Sequence, residues 1–462
     1  MRKQVLCVLL SAGCVYADST WTGSGTDANW STMANWVENQ VPSGGLLSFG
    51  GSVKLTNTND LTDLSISGLR FAAGAGLFSL GGNPLSIGGF IENGSANNQT
   101  VGTPLVLTND LLLSIPGSGN LYLTNTISGS GNLYRSGNAA VSLYGPNTFT
   151  GDIYHSNNWF LVGNSQALGN PANVFYQLNY DTSRLVIENN VTIPNRLVMF
   201  GSQNNGGLVS QNAKTNTITG TLATTNQIRI QTFGGSVLHI KGGVEGIGTA
   251  NNLVVLNAYD KGEIRFSGNP LLMPYRKFYA DTGNISIAVA GNQWADLMIA
   301  GGILRLDVPN CLPGDKAVNI GIGYSQTGTI DLNGNNQVFG GLYGINDPTK
   351  GMTLVKSDTP AVLTVNQAAG GNTSAYDGNF AGALGVVKVG ALDLIVTGTN
   401  CTHTGPLTVG QGVVAVKSVA PVGIGNGSLN PQQLVISNNA TFRLATYTGV
   451  ASNQVLPATH GV

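Results

Sequence analysis

The chain has 462 residues, 65 of them glycine, with only 9% charged and a formal net charge of −1. Ordinary globular domains carry roughly 25% charged residues, and nucleic-acid binding rests on clustered Lys and Arg, so this composition with no basic run excludes nucleic acid as a partner. Asn, Thr, Ser and Gly fill most polar positions, which suits strands joined by tight turns: a stacked column of amides or hydroxyls can hydrogen-bond along its length, whereas a column of like charges repels itself.

The first segment reads as an export signal. Arg2 and Lys3 supply the positive end, Val5 to Leu10 open an apolar core that runs to Cys14, and Val15-Tyr16-Ala17 has the small-residue cleavage pattern. This predicts a signal peptide over 1–17, Asp18 as the first mature residue, and an exported protein that is extracellular or associated with the outer surface. The apolar stretch is too short to span a bilayer as a mature helix, and no later apolar run is long enough. A second reading is a lipoprotein signal ending at Cys14, after Ser11-Ala12-Gly13, although Ser11 stands where that motif has Leu.

Residues 18–50 form a Trp-rich segment. Trp21, Trp30 and Trp36 lie close together in a chain that has 5 tryptophans. The expected role is a hydrophobic plug that seals the open end of the first coil of a stacked β structure, since terminal repeats are atypical caps. The functional alternative is an aromatic platform for stacking on sugars.

Residues 51–462 are a succession of short alternating runs. Leu61-Thr62-Asp63-Leu64-Ser65-Ile66, Leu111 to Ile115, Leu121-Tyr122-Leu123, Leu185-Val186-Ile187, Ile228-Arg229-Ile230 and Leu304-Arg305-Leu306 are examples, each punctuated by Gly, Asn, Asp or Pro. Period 2 between turn residues is the signature of strands, and no segment has convincing amphipathic helix spacing.

Two of these stretches repeat one another. Gly129, Arg135, Gly137, Gly145 and Asn147 fall on Gly382, Lys388, Gly390, Gly398 and Asn400, and one inserted residue later Thr150-Gly151 falls on Thr404-Gly405. Val141 and Leu143 fall on Leu394 and Val396. A second theme, an alternating strand followed by a polar step and an apolar pair before Gly, occurs from Phe160 to Gly169, Ile303 to Gly314 and Val413 to Gly423. Each copy is followed by an apolar trio, Leu185-Val186-Ile187, Ile330-Asp331-Leu332 or Phe442-Arg443-Leu444. Repeated strand, corner and strand cassettes imply coils stacked in one direction.

These residues resemble the autotransporter-associated beta-strand repeat of secreted bacterial proteins. Its pattern is a glycine pair, a basic residue before Gly, an alternating strand, and Gly-x-Asn-Thr-x-Thr-Gly. Gly145 to Gly151 fits closely; Gly398 to Gly405 fits with an insertion and with Cys401 and His403 at unusual positions. The stretch Ile330 to Leu342 and the Trp-rich start are also similar to parts of such proteins. The motif is clearest at 128–190 and 300–445. The resemblance implies a parallel β-helix carried outside the cell, and it implies no catalytic residues. The last part of the chain lacks the ten-residue alternating strands of an outer-membrane barrel and reads as the middle of another coil, so a fragment of a longer protein is the expectation here.

No residue stands out as catalytic, cofactor-binding or metal-ligating. His155, His239, His403 and His460 have no metal-site spacing and read as surface turn residues. Cys311 and Cys401 read as two small buried side chains, with a disulfide between them as the alternative. Gly423-Ile424-Gly425-Asn426-Gly427 and Gly243 to Gly248 look faintly like phosphate loops, but neither is followed by Lys and Ser or Thr. A carbohydrate-cleaving β-helix needs carboxylates gathered on one face. The densest set here is Asp260, Lys261, Glu263 and Arg265 on one strand, where Glu263 and Arg265 share a face as a solvated pair, while Asp307 and Asp331 could meet charges on neighbouring coils.

The expectation is therefore an all-β, right-handed parallel β-helix of about 16 to 20 coils, on the order of 80 to 95 Å long at about 4.8 Å per coil. Its expected role is that of a non-enzymatic exported structural stalk or display scaffold without cofactors. A carbohydrate-binding adhesin and a polysaccharide-cleaving enzyme are the alternatives. Extracellular polysaccharide or cell-surface components are the partners that fit.

Overall fold

The structure is a computed structural model that describes residues 17–178, 182–201, 207–249, 251–321, 328–344, 353–367, 374–398, 400–416, 434–437 and 439–444. The export segment, Gly423 to Gly427 and His460 lie outside these residues, Ala17 excepted. The protein is all-β, with parallel coils stacked into a β-solenoid of about 15 turns. Among the described residues the only helical element is a single 3-10 turn, Met33–Asn35. The chain divides into two compact units, Met1–Ile153 and Tyr154–Val462.

Three parallel ladders build the first unit. One joins Ser19–Trp21, Leu46–Phe49, and the later halves of Ser65–Phe71, Leu85–Asn93 and Leu105–Ile115 to Leu133–Gly137. A second joins Thr56–Asn59, Ser79–Gly82, Gln99–Val101, Leu121–Leu123 and Val141–Leu143. The third runs through the early halves of the long strands to Ile127–Gly129. Period-2 patterning explains each strand: in Leu105–Ile115, Leu105, Leu107, Leu111, Leu113 and Ile115 point inward and are buried.

The second unit repeats this plan. One ladder runs from Trp159–Val162 through Arg184–Ile187, Gly207–Ser210, Ile228–Thr232 and Leu253–Ala258, and reaches Thr441–Leu444. Another holds Thr215–Ile218, Val237–Ile240, Glu263–Ser267, Asn284–Ala288, Gly302–Leu306 and Gly328–Asp331 in register. Coil length varies: Asn284 pairs with Ile303 in a short coil, Gly344 with Tyr376 in a long one.

The sequence repeat is a repeat of corners. A Cβ on Gly137 would lie 2.2 Å from the Ile115 carbonyl oxygen, and one on its counterpart Gly390 2.2 Å from the Gln367 carbonyl oxygen; both have positive φ, +115° and +85°. Only glycine lets the backbones of two coils approach so closely in that conformation. The basic residue two positions earlier is buried in both copies and donates to that glycine's carbonyl: Arg135 Nη1 to Gly137 O at 3.2 Å, Lys388 Nζ to Gly390 O at 2.8 Å. Arg135 also donates to Ala139 O, and Lys388 to Gln411 O at 3.0 Å. Burial pushes Arg135 down to about 10 and lowers Lys388 too, the carboxylate of Asp393 opposing the latter shift. Both cations stopper a ring of carbonyls that the corner turns inward.

The second theme is one whole coil. Phe160 pairs with Leu185, Leu304 with Ile330 and Val414 with Phe442, so each apolar trio is the next coil's copy of the strand before it. The Ile303 copy lies on a different ladder from the other two.

Candidate functional site

The tryptophans form a plug. Trp21, Trp30 and Trp36 are 2%, 0% and 2% exposed and surround Phe49, with centroids 5.2 to 6.1 Å apart; Trp36 meets Phe49 and the other two indoles edge-on, and Trp21 and Trp30 meet Phe49 at a tilt. Trp30 Nε1 donates to Asn57 Oδ1 at 2.7 Å and Trp36 Nε1 to the Trp30 carbonyl at 2.8 Å, so their polar edges are satisfied as buried indoles require. No ring face of these three is open to a sugar.

Glu263, Asp307, Asp331 and Asp358 of the second unit lie along one outer face and are ion-paired there. Arg265, Ser286, Arg305, Asp331 and Lys356 follow one another in register on successive coils. Glu263 Oε2 accepts from Arg265 at 2.6 Å and its Oε1 from Ser286 Oγ at 3.1 Å. Arg305 binds Asp307 through two bonds of 2.7 and 3.0 Å, and Lys356 lies 3.4 Å from Asp331 and 2.7 Å from Asp358. Burial raises the Glu263 carboxyl, but the bonds from Arg265 and Ser286 and the charge of Arg305 outweigh it, and the net shift is downward. A general acid needs the opposite shift. Asp260 and Lys261 form the tight turn before this strand, at φ +54° and +64°.

Asp296 differs, being pushed up by burial against the pull of Lys277; Asn319 Nδ2 donates to it at 2.8 Å. A pocket of about 360 Å³ opens nearby, lined by Pro274, Asn292, Gln293, Trp294, Pro313, Asp315 and Lys316. Its lining is largely committed to the fold. Asn292 donates to the Val289 and Cys311 carbonyls and accepts from Leu271 N, Trp294 stacks on Phe278 with centroids 5.1 Å apart, and Asp315 is ion-paired with Lys316 at 2.7 Å.

Three histidines correct the surface-turn expectation, His155 and His403 by full burial and His239 by lying within the strand Val237–Ile240. His155 is 0% and His403 1% exposed. His155 Nε2 lies 3.0 Å from the Asn158 carbonyl, and its ring packs between Phe160 and Phe175. His403 occupies the position that the aligned copy fills with buried Phe149; Phe380 meets it edge-on at 5.8 Å, and neither ring nitrogen has a hydrogen-bond partner. The physical reason is that both positions face inward, whatever the polarity of the residue placed there. His239 is half-buried and bonds Ser267 Oγ at 2.7 Å. Cys311 and Cys401 are both buried and free, which removes the disulfide alternative. Val244–Gly246 is a strand within the glycine-rich stretch 243–248, so that stretch is no phosphate loop.

In the first unit one outer column departs from the polar norm, and sequence reading missed it. Leu46, Gly68, Phe90, Leu112 and Tyr134 stand in register on five successive coils of the first unit. Leu112 and Tyr134 are each 38% exposed. Arg70 lies over the Phe90 ring, 5.5 Å from its centroid, and pairs with Glu92 at 2.9 Å. The polar flank on that side is Ser48, Arg70, Glu92, Ser114 and Ser136; Asp110 and Asn132 precede the outer residues on the other. No protein-family model, curated protein or solved structure matches the chain.

Proposed function

We propose that this protein is an exported structural scaffold of the autotransporter-associated repeat type, a stalk that holds or displays something away from a surface. The observation that carries the reading is how the polar corner residues are used. Asn120 N–H donates to Asn98 Oδ1 at 2.9 Å and Ala140 N–H to Asn120 Oδ1 at 3.0 Å. In a second corner, Asn132 N–H donates to Asp110 Oδ1 at 2.9 Å and Asp152 N–H to Asn132 Oδ1 at 2.8 Å. Each such side chain caps the next coil's backbone, so the corner chemistry is spent on stacking. Matching corners in the two motif copies support the repeat assignment. The buried tryptophans take away the ground on which they were read as a sugar platform.

A scaffold of stacked coils tolerates a change in length, because its stability is a sum of neighbour terms. Leu111 pairs with Leu133, so removing residues 111–132 takes out one coil in register. The shortened protein should still fold cooperatively, and an N-terminal tag placed after Ala17 should remain open to antibody on intact cells in both forms. A tag reached only after lysis would sink the exported scaffold, and failure of the shortened form alone to fold would sink the modular one.

A further inference from the structure

We propose that Ser267 and His239 form a catalytic dyad that hydrolyses carboxylic esters, with Ser267 as nucleophile and His239 as its base. The inference goes beyond the scaffold reading and does not depend on it. His239 Nε2 lies 2.7 Å from Ser267 Oγ across two successive coils, a separation at which an imidazole can take the proton of an attacking hydroxyl. Position supports the pairing. In the strand Glu263–Ser267 the side chains of Ile264 and Phe266 are buried, so Ser267 points outward at the strand's end. Gly268 follows at φ +75°, where a Cβ would stand 2.5 Å from the Lys241 carbonyl oxygen, so the chain turns directly after the serine. Ala288 is the in-register neighbour of Ser267 on the next coil, and its small side chain leaves room beside the hydroxyl. His239 is in register with Arg265, and one step further along the same register Lys241 stands beside Ser267. Burial, Lys241 and Arg265 together hold the His239 imidazole below its usual value, against the pull of Glu263. The ring is therefore mostly neutral at pH 7 and able to accept a proton.

With its own proton on Nδ1, the imidazole accepts a hydrogen bond from the Ser267 hydroxyl. As Oγ bonds to the carbonyl carbon of an ester, the hydroxyl proton passes to Nε2. The C–O bond to the alcohol then breaks, and Nε2 gives the proton to the departing oxygen. Water attacks the acyl-serine in the same way: its proton goes to Nε2, the Oγ–C bond breaks, and Oγ takes the proton back. The sum is ester plus water to carboxylic acid plus alcohol. Negative charge developing on the carbonyl oxygen meets Lys241, exposed beside Ser267, whereas Arg265 is already held by Glu263 at 2.6 Å. The dyad lies on an outer sheet face, which suits a short acyl group carried on a larger molecule.

The test uses the full chain with two probes, a fluorophosphonate that marks activated serines and p-nitrophenyl acetate as the ester. The expected result is a covalent mark on Ser267, located by peptide mass, together with hydrolysis of the acetate. Ser267→Ala and His239→Gln should each lower the hydrolysis at least about 100-fold without changing the melting temperature. Marking of Ser267 should fade at low pH as the imidazole takes up its proton. A wild-type Ser267 that takes no mark overturns the proposal, even if the variants fail to fold. Hydrolysis that survives Ser267→Ala overturns it too, since the acetate is then cleaved elsewhere. Equal marking of Ser267 in wild type and His239→Gln overturns it by reducing the hydrogen bond to a link between coils.

Discussion

The two copies of the repeated corner answer the same geometric problem with different residues. Around Gly137 a guanidinium plugs the inward-turned carbonyls; around Gly390 an ammonium does so. Arg and Lys differ in shape and number of donors, yet each finds two backbone carbonyls. At the neighbouring core position the copies part company. Phe149 is an apolar filler, and His403 puts two unpartnered nitrogens into a site of the same burial. The corner thus demands a cation and a glycine, while the core position demands only an inward ring of suitable size.

The comparison breaks most severely at the glycines. A Cβ at Gly145 would stand 2.0 Å from the Asn125 carbonyl oxygen, and one at Gly398 1.9 Å from that of Gly378. Either Gly→Val change should cost more than about 4 kcal/mol and open its own coil while the other copy keeps its protection. Hydrogen exchange read peptide by peptide tests this; undiminished protection around residue 145 in Gly145→Val would show that the close approach is not needed.

The ring pair sharpens the comparison through pH. Burial pushes the His403 imidazole down to about 4, below its value of about 6.5 in an unfolded chain. The unfolded state therefore binds the proton more readily. Stability is full above pH 6.5 and falls as pH drops towards 4, by a total on the order of 3 kcal/mol. His403→Phe should abolish this loss, and Phe149→His should install it in the first unit. Urea midpoints at pH 7 and pH 4.5 that change equally in wild type and His403→Phe would refute the assignment.

The smallest effect is expected at the corner cations. Lys388→Met and Arg135→Met leave buried carbonyls unpartnered, worth about 1–3 kcal/mol each, whereas Lys388→Arg should lose less because the first copy already uses Arg. Thermal shifts of the three variants decide it. Equal losses for Lys388→Arg and Lys388→Met would mean that packing, rather than hydrogen bonding, holds the corner.

Fold class was legible because alternation and glycine punctuation are local. Val141 with Leu143 and Leu394 with Val396 could be marked as inward from their neighbours alone, and all four are buried. Register was not legible, since it depends on coil length, and that varies between neighbours. For this reason the Ile303 cassette was grouped with two that lie on another ladder, and the outer column from Leu46 to Tyr134 stayed hidden: its members are scattered along the sequence until the coils bring them into line. The histidines were misplaced because polarity was read without position. The plug was legible because three tryptophans so near an end have few other uses.

The tryptophan segment also protects a strand edge. On one side Ser19–Trp21 pairs with Leu47 to Phe49 in the first full coil. On its other side the segment around Trp36 already occupies it: Val37 N–H donates to the Thr20 carbonyl at 2.8 Å, Thr22 N–H to the Asn35 carbonyl at 2.8 Å, and Thr20 N–H to Glu38 Oε2 at 2.9 Å. Within the described residues the strand Ser19–Trp21 is therefore hydrogen-bonded on both sides, and its backbone offers no free edge to a foreign strand.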